Sequence, residues 1–225
     1  MPKRIKSLQF VGKIIARMWL FVQVGKVRVV GRENLDAPGR LLFCINHSSM
    51  FDAPLIFTVM KKQPRYMTAV EEMRGLGGLK AVVMGALGSF PVDRSRGHTA
   101  IAPSVEALVN GEHIAIFPEG KISNSGAYLK FKSGAARIAI EACDRRNHRV
   151  QVGIVPIHIC FGSRDEATAG GPYTKMGFKW RGGVTITIGK PIYIHNVEPL
   201  TAANVTDVVQ AAITAQECAT LSEQG

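Results

Sequence analysis

Apolar residues recur along this chain in two rhythms. Short unbroken runs of Val, Ile, Leu and Phe read as strands buried on both faces, and spacings of three and four residues read as helices with one apolar side. The runs at 27–30, 41–45, 65–69, 88–92, 113–117, 150–159 and 184–188 predict strands, with a further short strand after Lys190-Pro191. Helical spacing marks 54–61, 99–110, 134–146 and 201–219, the last with Val205, Val208, Val209, Ala212 and Ile213 turned inward. Gly111 is placed to end the second of these helices and Ser133 to cap the third. Between residues 73 and 87, Gly75, Gly77, Gly78 and Gly85 lie among apolar side chains. That composition predicts a helix pair in close contact or a surface that meets lipid. Residues 31–39, 126–131 and 162–182 read as loops. Strands alternate with helices throughout, which predicts an α/β domain whose sheet is covered by helices on both faces. The pattern does not give the strand order.

Residues 1–24 stand apart. On a helical wheel Leu8, Val11, Ile15, Met18, Trp19 and Val22 make a broad apolar face, widened by Phe10, Ile14 and Phe21, while Lys6, Lys13 and Arg17 share a narrow face near Gln9. Residues 1–32 hold eight basic side chains and no acidic one. An amphipathic helix of this kind, with cationic edges and Trp and Phe on its apolar side, suits the headgroup region of an anionic bilayer. The apolar face is too broad for an ordinary half-buried helix. The expectation is a membrane-association helix over 1–24 followed by one domain over 25–225.

The whole chain carries 28 basic and 17 acidic residues, a net charge of +11. That balance implies an anionic partner: nucleic acid, an acidic membrane surface or a phosphorylated substrate. Aromatics are only 7% of the chain, which argues against a stacking platform for nucleic acid. Cys44, Cys143, Cys160 and Cys218 form no C-x-x-C pair and read as core residues of a reducing compartment. No zinc site is visible, and no uncharged apolar run reaches the roughly 18 residues of a membrane span. A peripheral protein at the cytoplasmic face of a membrane fits this balance.

The chemistry concentrates where strands end. Asn46-His47-Ser48-Ser49-Met50-Phe51-Asp52 follows the 41–45 strand and precedes a helix. Five residues along one helix is a rotation of about 500°, so His47 and Asp52 meet only if the chain turns sharply between them. The carboxylate then accepts from one ring nitrogen, fixes the tautomer and raises the basicity of the other. That makes a general base able to take a proton from a substrate hydroxyl without any protein nucleophile. The plainer alternative is a loop histidine beside a capping aspartate, with Pro54 inside the helix. Arg94 ends another strand and offers a planar fork to a phosphate, unless Asp93 pairs with it. Phe117-Pro118-Glu119-Gly120-Lys121 puts a carboxylate directly after a buried strand, where it needs a partner; the hydroxyls of a substrate diol could serve. Lys121, Lys130 and Lys132 add positive charge, and Lys132 precedes a helix N-terminus, a natural anion site. In a parallel sheet these strand ends converge.

Taken in order, these blocks resemble the glycerolipid acyltransferases of the lysophosphatidic acid acyltransferase type. N-H-x-x-x-x-D is matched at 46–52, a glycine-led strand ending in arginine at 88–94, F-P-E-G at 117–120 and an apolar strand with a central proline at 154–157. The resemblance covers roughly residues 25–190. It implies a mixed, largely parallel sheet flanked by helices, with an N-terminal helical membrane anchor. It implies transfer of a fatty acyl group from acyl-CoA or acyl carrier protein, as co-substrate, to a lysophospholipid hydroxyl, with no cofactor or metal. His47 would be the base and Asp52 its orienter. Arg94 and Glu119 would hold the acceptor, Phe117, Pro118 and Gly120 would shape its site, and Lys121 and Lys132 would add charge. One departure stands out: the family commonly continues the third block as Thr-Arg-Ser, and here it is Lys121-Ile122-Ser123. A guanidinium fork and a point charge are not equivalent. Lysophosphatidic acid, giving phosphatidic acid, stays the first acceptor, with another lysophospholipid or a transacylation partner behind it. A basic module binding anionic lipid or nucleic acid would be indifferent to His47, and a metal hydrolase using His47, Asp52 and Glu119 would need a further ligand.

Overall fold

A computed structural model describes residues 2–74, 78–123, 128–145, 151–162 and 181–222, without the side chains of Arg94, Arg96, His98 and 217–222. The chain runs α1 (Lys6–Gln23), β1 (Val27–Val30), β2 (Arg40–Ile45), α2 (Asp52–Val59), β3 (Arg65–Ala69), α3 (Val70–Met73), α4 (Leu79–Leu87) and β4 (Ser89–Val92). It continues with α5 (Ala102–Val109), β5 (Ile114–Ile116), α6 (Gly134–Asp144), β6 (Val152–Phe161), β7 (Val184–Ile188), β8 (Ile192–Tyr193) and α7 (Ala202–Ser222). The expected strands are all present, and the loop expected at 162–182 lies almost wholly outside the described residues. Gly126 of the 126–131 loop and Cys218 lie outside them too, as far as their side chains are concerned.

Among the described residues the strands form one eight-stranded sheet in the order β1-β7-β6-β2-β5-β3-β4, with β8 added on β6. From β6 to β4 every pair is parallel, whereas β7 and β8 run antiparallel to β6. The sheet is therefore mixed and largely parallel. Its central strand β2 alternates sides. Leu42 and Cys44 meet α5, α6 and α7 on one face, and Leu41, Phe43 and Ile45 meet α1 and α2 on the other. A strand buried on both faces cannot alternate in polarity, which is why β2, β5 and β6 are so apolar.

Several local expectations shift. The second helix begins at Asp52, ahead of Pro54. The 99–110 segment opens in the last turn of a 3-10 stretch over Arg94–Ile101, itself kinked at Gly97, and is α-helical over Ala102–Val109. Ser133 stands at the start of α6 but makes no side-chain cap. Val208 is 37% exposed, while Val205, Val209 and Ile213 face the core. In the 73–87 region residues 75–77 lie outside the described residues, and a single helix, α4, runs from Leu79 and closes on the N-terminal segment at Gly85. A Cβ there would stand 3.0 Å from Pro2.

The helix α1 is amphipathic as expected, and its side with Gln9, Lys13 and Arg17 faces the domain beside the buried Leu20. Lys13 donates to the Met60 carbonyl and Arg17 to the Thr58 carbonyl, 3.0 Å. Arg32 adds the Val59 carbonyl at 3.5 Å. These are the orphan carbonyls at the C-terminal end of α2, where cations also favour the helix dipole. Gln9 donates to the Leu87 carbonyl at the end of α4, 2.9 Å. Lys13 and Arg17 thus tie α1 to the end of α2, with Arg17 still exposed. The apolar face turns outward, with Phe10 67% and Met18 68% exposed and Val11, Ile14, Ile15, Phe21 and Val22 alongside. Leu79, Val82 and Val83 of the adjoining α4 are exposed as well. Among the described residues no helix is long and apolar enough to cross a membrane.

The N-terminal segment is pinned at the other end of the sheet. Arg65, buried at the start of β3, donates through Nη2 to Glu112 Oε1, 2.9 Å, and through Nη1 to the Pro2 carbonyl, 2.7 Å; its Nε meets Glu112 Oε2. Arg4 adds a second guanidinium on Glu112, 3.1 Å. The bond from Arg65 holds the Glu112 carboxyl below its usual range, against partial burial that raises it, with Arg4 assisting. A carboxyl depressed in the fold stabilises above its unfolded pKa, about 4.3, and loses that contribution as pH falls through the folded value. Glu112→Gln should therefore lower unfolding free energy at pH 7 by about 1–3 kcal/mol. In urea melts at stepped pH, the gap to wild type should narrow as pH falls from the unfolded glutamate value, about 4.3, through the lower folded one.

Candidate active site

His47 follows β2, and the block at 117–120 follows β5. The two strands are hydrogen-bonded neighbours with Cys44 opposite Ile116. Their C-terminal ends open side by side, so the two blocks share one crevice as the parallel arrangement predicts.

The turn from β2 into α2 brings Asp52 back onto His47. The Asp52 side chain is fully buried and the His47 side chain 20% exposed, with Nδ1 and Oδ2 3.0 Å apart. The same Oδ2 accepts the backbone N–H of Ser48, 2.7 Å, and of Ser49, 2.8 Å. Three donors on one oxygen form a tight turn, and the carboxylate also sits in the first turn of α2, where the helix dipole favours it. Burial pushes the Asp52 carboxyl up, while the His47 ring and the two amides pull it back. A carboxylate facing Nδ1 selects the tautomer with its proton there, which leaves Nε2 as the basic nitrogen. Asn46 secures the strand end by exchanging two bonds with the Ile159 backbone, 3.0 and 2.7 Å.

The third block surrounds the same histidine. Phe117 stacks on the His47 ring, with centroids 4.3 Å apart and planes at 25°. Glu119 is 3% exposed. Its Oε1 accepts the His47 N–H at 2.7 Å, and its Oε2 accepts the Leu129 N–H at 3.0 Å. Burial raises its carboxyl, opposed by those two amides. The carboxylate expected to face a substrate diol is thus turned to backbone donors. The Ser123 N–H reaches the His47 carbonyl at 3.1 Å. Gly120 has φ +76, and Lys132 lies over it, so that a Cβ would come within 2.8 Å of Nζ. The Lys132 N–H donates to the Pro118 carbonyl, 2.9 Å, which fixes the lysine beside the turn. Lys121 is exposed at the same rim.

Arg94 lies elsewhere on the sheet. It follows β4, the edge strand, three strand spacings or about 14 Å from β2. Its side chain lies outside the described residues. Among the described residues no three His, Cys, Asp or Glu side chains gather as metal ligands.

Other contributors were not anticipated. The Ser48, Ser49 and Ser123 amides act through the backbone, which residue identity does not announce. Phe51, in the histidine turn, stacks on Trp19 of α1 at 4.9 Å; an aromatic in the motif's variable interior was the only signal available. A second buried histidine, His158, has its ring lowered to about 4 by burial. It lies on β6, on the face opposite Ile157 and Ile159, which pack with α1 and α2.

Three comparisons bear on this geometry. The family model described as Acyltransferase matches residues 26–160. A 1-acyl-sn-glycerol-3-phosphate acyltransferase of Bacillus subtilis (strain 168) is 27% identical over 173 residues, 75% of each chain. The protein of the same description from Borreliella burgdorferi is 29% identical over 119 residues, 52% of this chain; the match spans only 47% of that relative. In fold, the chain resembles the crystal structure of the 1-acyl-sn-glycerophosphate (LPA) acyltransferase from Thermotoga maritima. The TM-score is 0.63 at 24% identity, covering 94% of this chain and 77% of that one.

The turn itself makes a testable claim. Asp52→Ala would leave the Ser48 and Ser49 amides without their acceptor, and should lower unfolding free energy by about 1–3 kcal/mol in denaturant melts. His47→Ala, removing a partly exposed ring, should be milder.

Proposed function

The chain belongs to the acyltransferase family, and from that premise we propose that it moves a fatty acyl group from acyl-CoA or acyl carrier protein to the free hydroxyl of 1-acyl-glycerol-3-phosphate. The product is phosphatidic acid. The reading rests on one observation, the 3.0 Å contact between His47 Nδ1 and the buried Asp52 Oδ2. With Nδ1 committed, Nε2 takes the acceptor's hydroxyl proton as its oxygen attacks the thioester carbonyl. The tetrahedral adduct collapses, the C–S bond breaks, and the imidazolium returns the proton to the departing thiolate. Asp52 stays ionised and balances the transient positive ring. Lys132, and Lys121 beside it, supply positive charge for the acceptor phosphate; Arg94 contributes from the edge of the sheet. The names of the bacterial relatives support this acceptor. Ile122, exposed next to the residue that bonds the His47 carbonyl, supports a second acceptor class, a lysophospholipid whose headgroup needs no arginine fork. A lysolipid panel run with both thioester donors separates them.

The outward face of α1 supports peripheral or monotopic seating on an anionic membrane, at the cytoplasmic face where thioester donors are made. Lys3 and Lys6 at one end of α1 and Lys26 at the other remain exposed, flanking the apolar face with charge for headgroups.

Two measurements test this. Lysolipid-dependent thioester consumption should fall at least about a hundredfold in His47→Ala while the melting temperature is kept; retained turnover would sink the mechanism. Replacing Phe10, Ile15 and Met18 together by Ser should cut co-sedimentation with anionic vesicles at least about tenfold without loss of stability, since each buried apolar side chain is worth about 1.5–3 kcal/mol. Unchanged sedimentation would remove α1 as the membrane face.

A further inference from the structure

We propose that the third block is the cradle of the catalytic histidine, and that Glu119 is a positioning residue fixing the backbone of His47 instead of a ligand for the acceptor. This rests on the reading of His47 as the base. The backbone of His47 is held at both ends: its N–H by Glu119 at 2.7 Å and its C=O by the Ser123 N–H at 3.1 Å. Its ring lies against Phe117 at 4.3 Å. Three residues of one seven-residue stretch thus fix the amide, the carbonyl and the ring of a histidine some 72 positions earlier in the chain. Only the orientation about Nδ1 is left to Asp52.

The chemistry of the carboxylate points the same way. Glu119 is 3% exposed, and each oxygen already receives an amide, the second from Leu129 on the far side of the loop. A glycerol hydroxyl would have to enter a buried, occupied site and compete with a charge-assisted bond of 2.7 Å. A buried carboxylate is retained against its own desolvation, so it should perform a task that a neutral side chain cannot. Two amide donors facing one group from different segments define that task. A glutamine has one carbonyl oxygen for two donors and turns an NH2 toward the other. An aspartate is a methylene shorter, about 1.5 Å, and cannot reach both. Base placement within a few tenths of an ångström governs proton transfer, and misplacement by about 1 Å costs about a hundredfold in rate.

A brace and an acceptor ligand leave different kinetic traces. An interaction with the acceptor in the ground state appears in KM, whereas loss of base placement appears in kcat. The experiment compares wild type, Glu119→Gln and Glu119→Asp by steady-state kinetics with 1-acyl-glycerol-3-phosphate and by hydrogen–deuterium exchange at the His47 amide. The cradle predicts that kcat falls at least about a hundredfold in both variants, with the acceptor KM within about twofold. It also predicts that the His47 amide exchanges at least about tenfold faster. An acceptor KM raised about tenfold or more with kcat kept, or an unchanged exchange rate at His47, overturns it. Should Glu119→Gln fail to fold, Glu119→Asp decides on the same two readouts. If wild type consumes no thioester with any lysolipid, the acyltransferase reading falls, while the exchange rates still decide whether Glu119 holds His47.

Discussion

A buried carboxylate is costly unless donors answer it, and one oxygen of Asp52, Oδ2, is answered three times within five residues. That constraint sets the turn between β2 and α2, the start of α2 and the tautomer of His47 together. It also sets a polarity on α2. The helix begins at the carboxylate and ends at carbonyls that need cations, and Lys13, Arg17 and Arg32 supply them. A short helix of eight residues has its positive end facing the carboxylate and its negative end facing α1. The histidine turn and the N-terminal helix are therefore electrostatically opposite ends of one element, each worth a fraction of a kcal/mol to about 1 kcal/mol at the helix terminus.

The sheet order explains why two of the blocks act together and the third stands off. β2 and β5 are adjacent, so the histidine turn and the Phe117–Gly120 turn can interlock through backbone bonds. β4 is at the far edge. The segment that follows it starts about 14 Å from β2 along the sheet, three strand spacings away. Lys132 is laid over Gly120, whose positive φ and missing side chain leave the space.

Much of this was legible in residue order. β2, β5 and β6 announce themselves because burial on both faces leaves no polar position to confuse the period, and the His47–Asp52 spacing admits a meeting only through a turn. The limits are equally physical. A helical wheel shows that α1 is two-sided but not which side faces the domain. A narrow row of Gln9, Lys13 and Arg17 looks solvated until the open carbonyls of α2 and α4 are brought against it. A strand-end carboxylate needs partners, and those that Glu119 has here, the His47 and Leu129 amides, are ones no local pattern records. The family resemblance carried the identity of the blocks but not this division of labour within them.

The docking of α1 joins these strands of argument. A helix that spent its apolar face on the core would leave the histidine turn facing water. Here the polar face is spent on helix ends, and the apolar face is presented outward together with that of α4. Trp19 sits at the boundary, stacked on Phe51 within the histidine turn. Met50, next to it in the turn, is also exposed. A bilayer lying against α1 would thus reach, through one aromatic pair, the segment that carries the base.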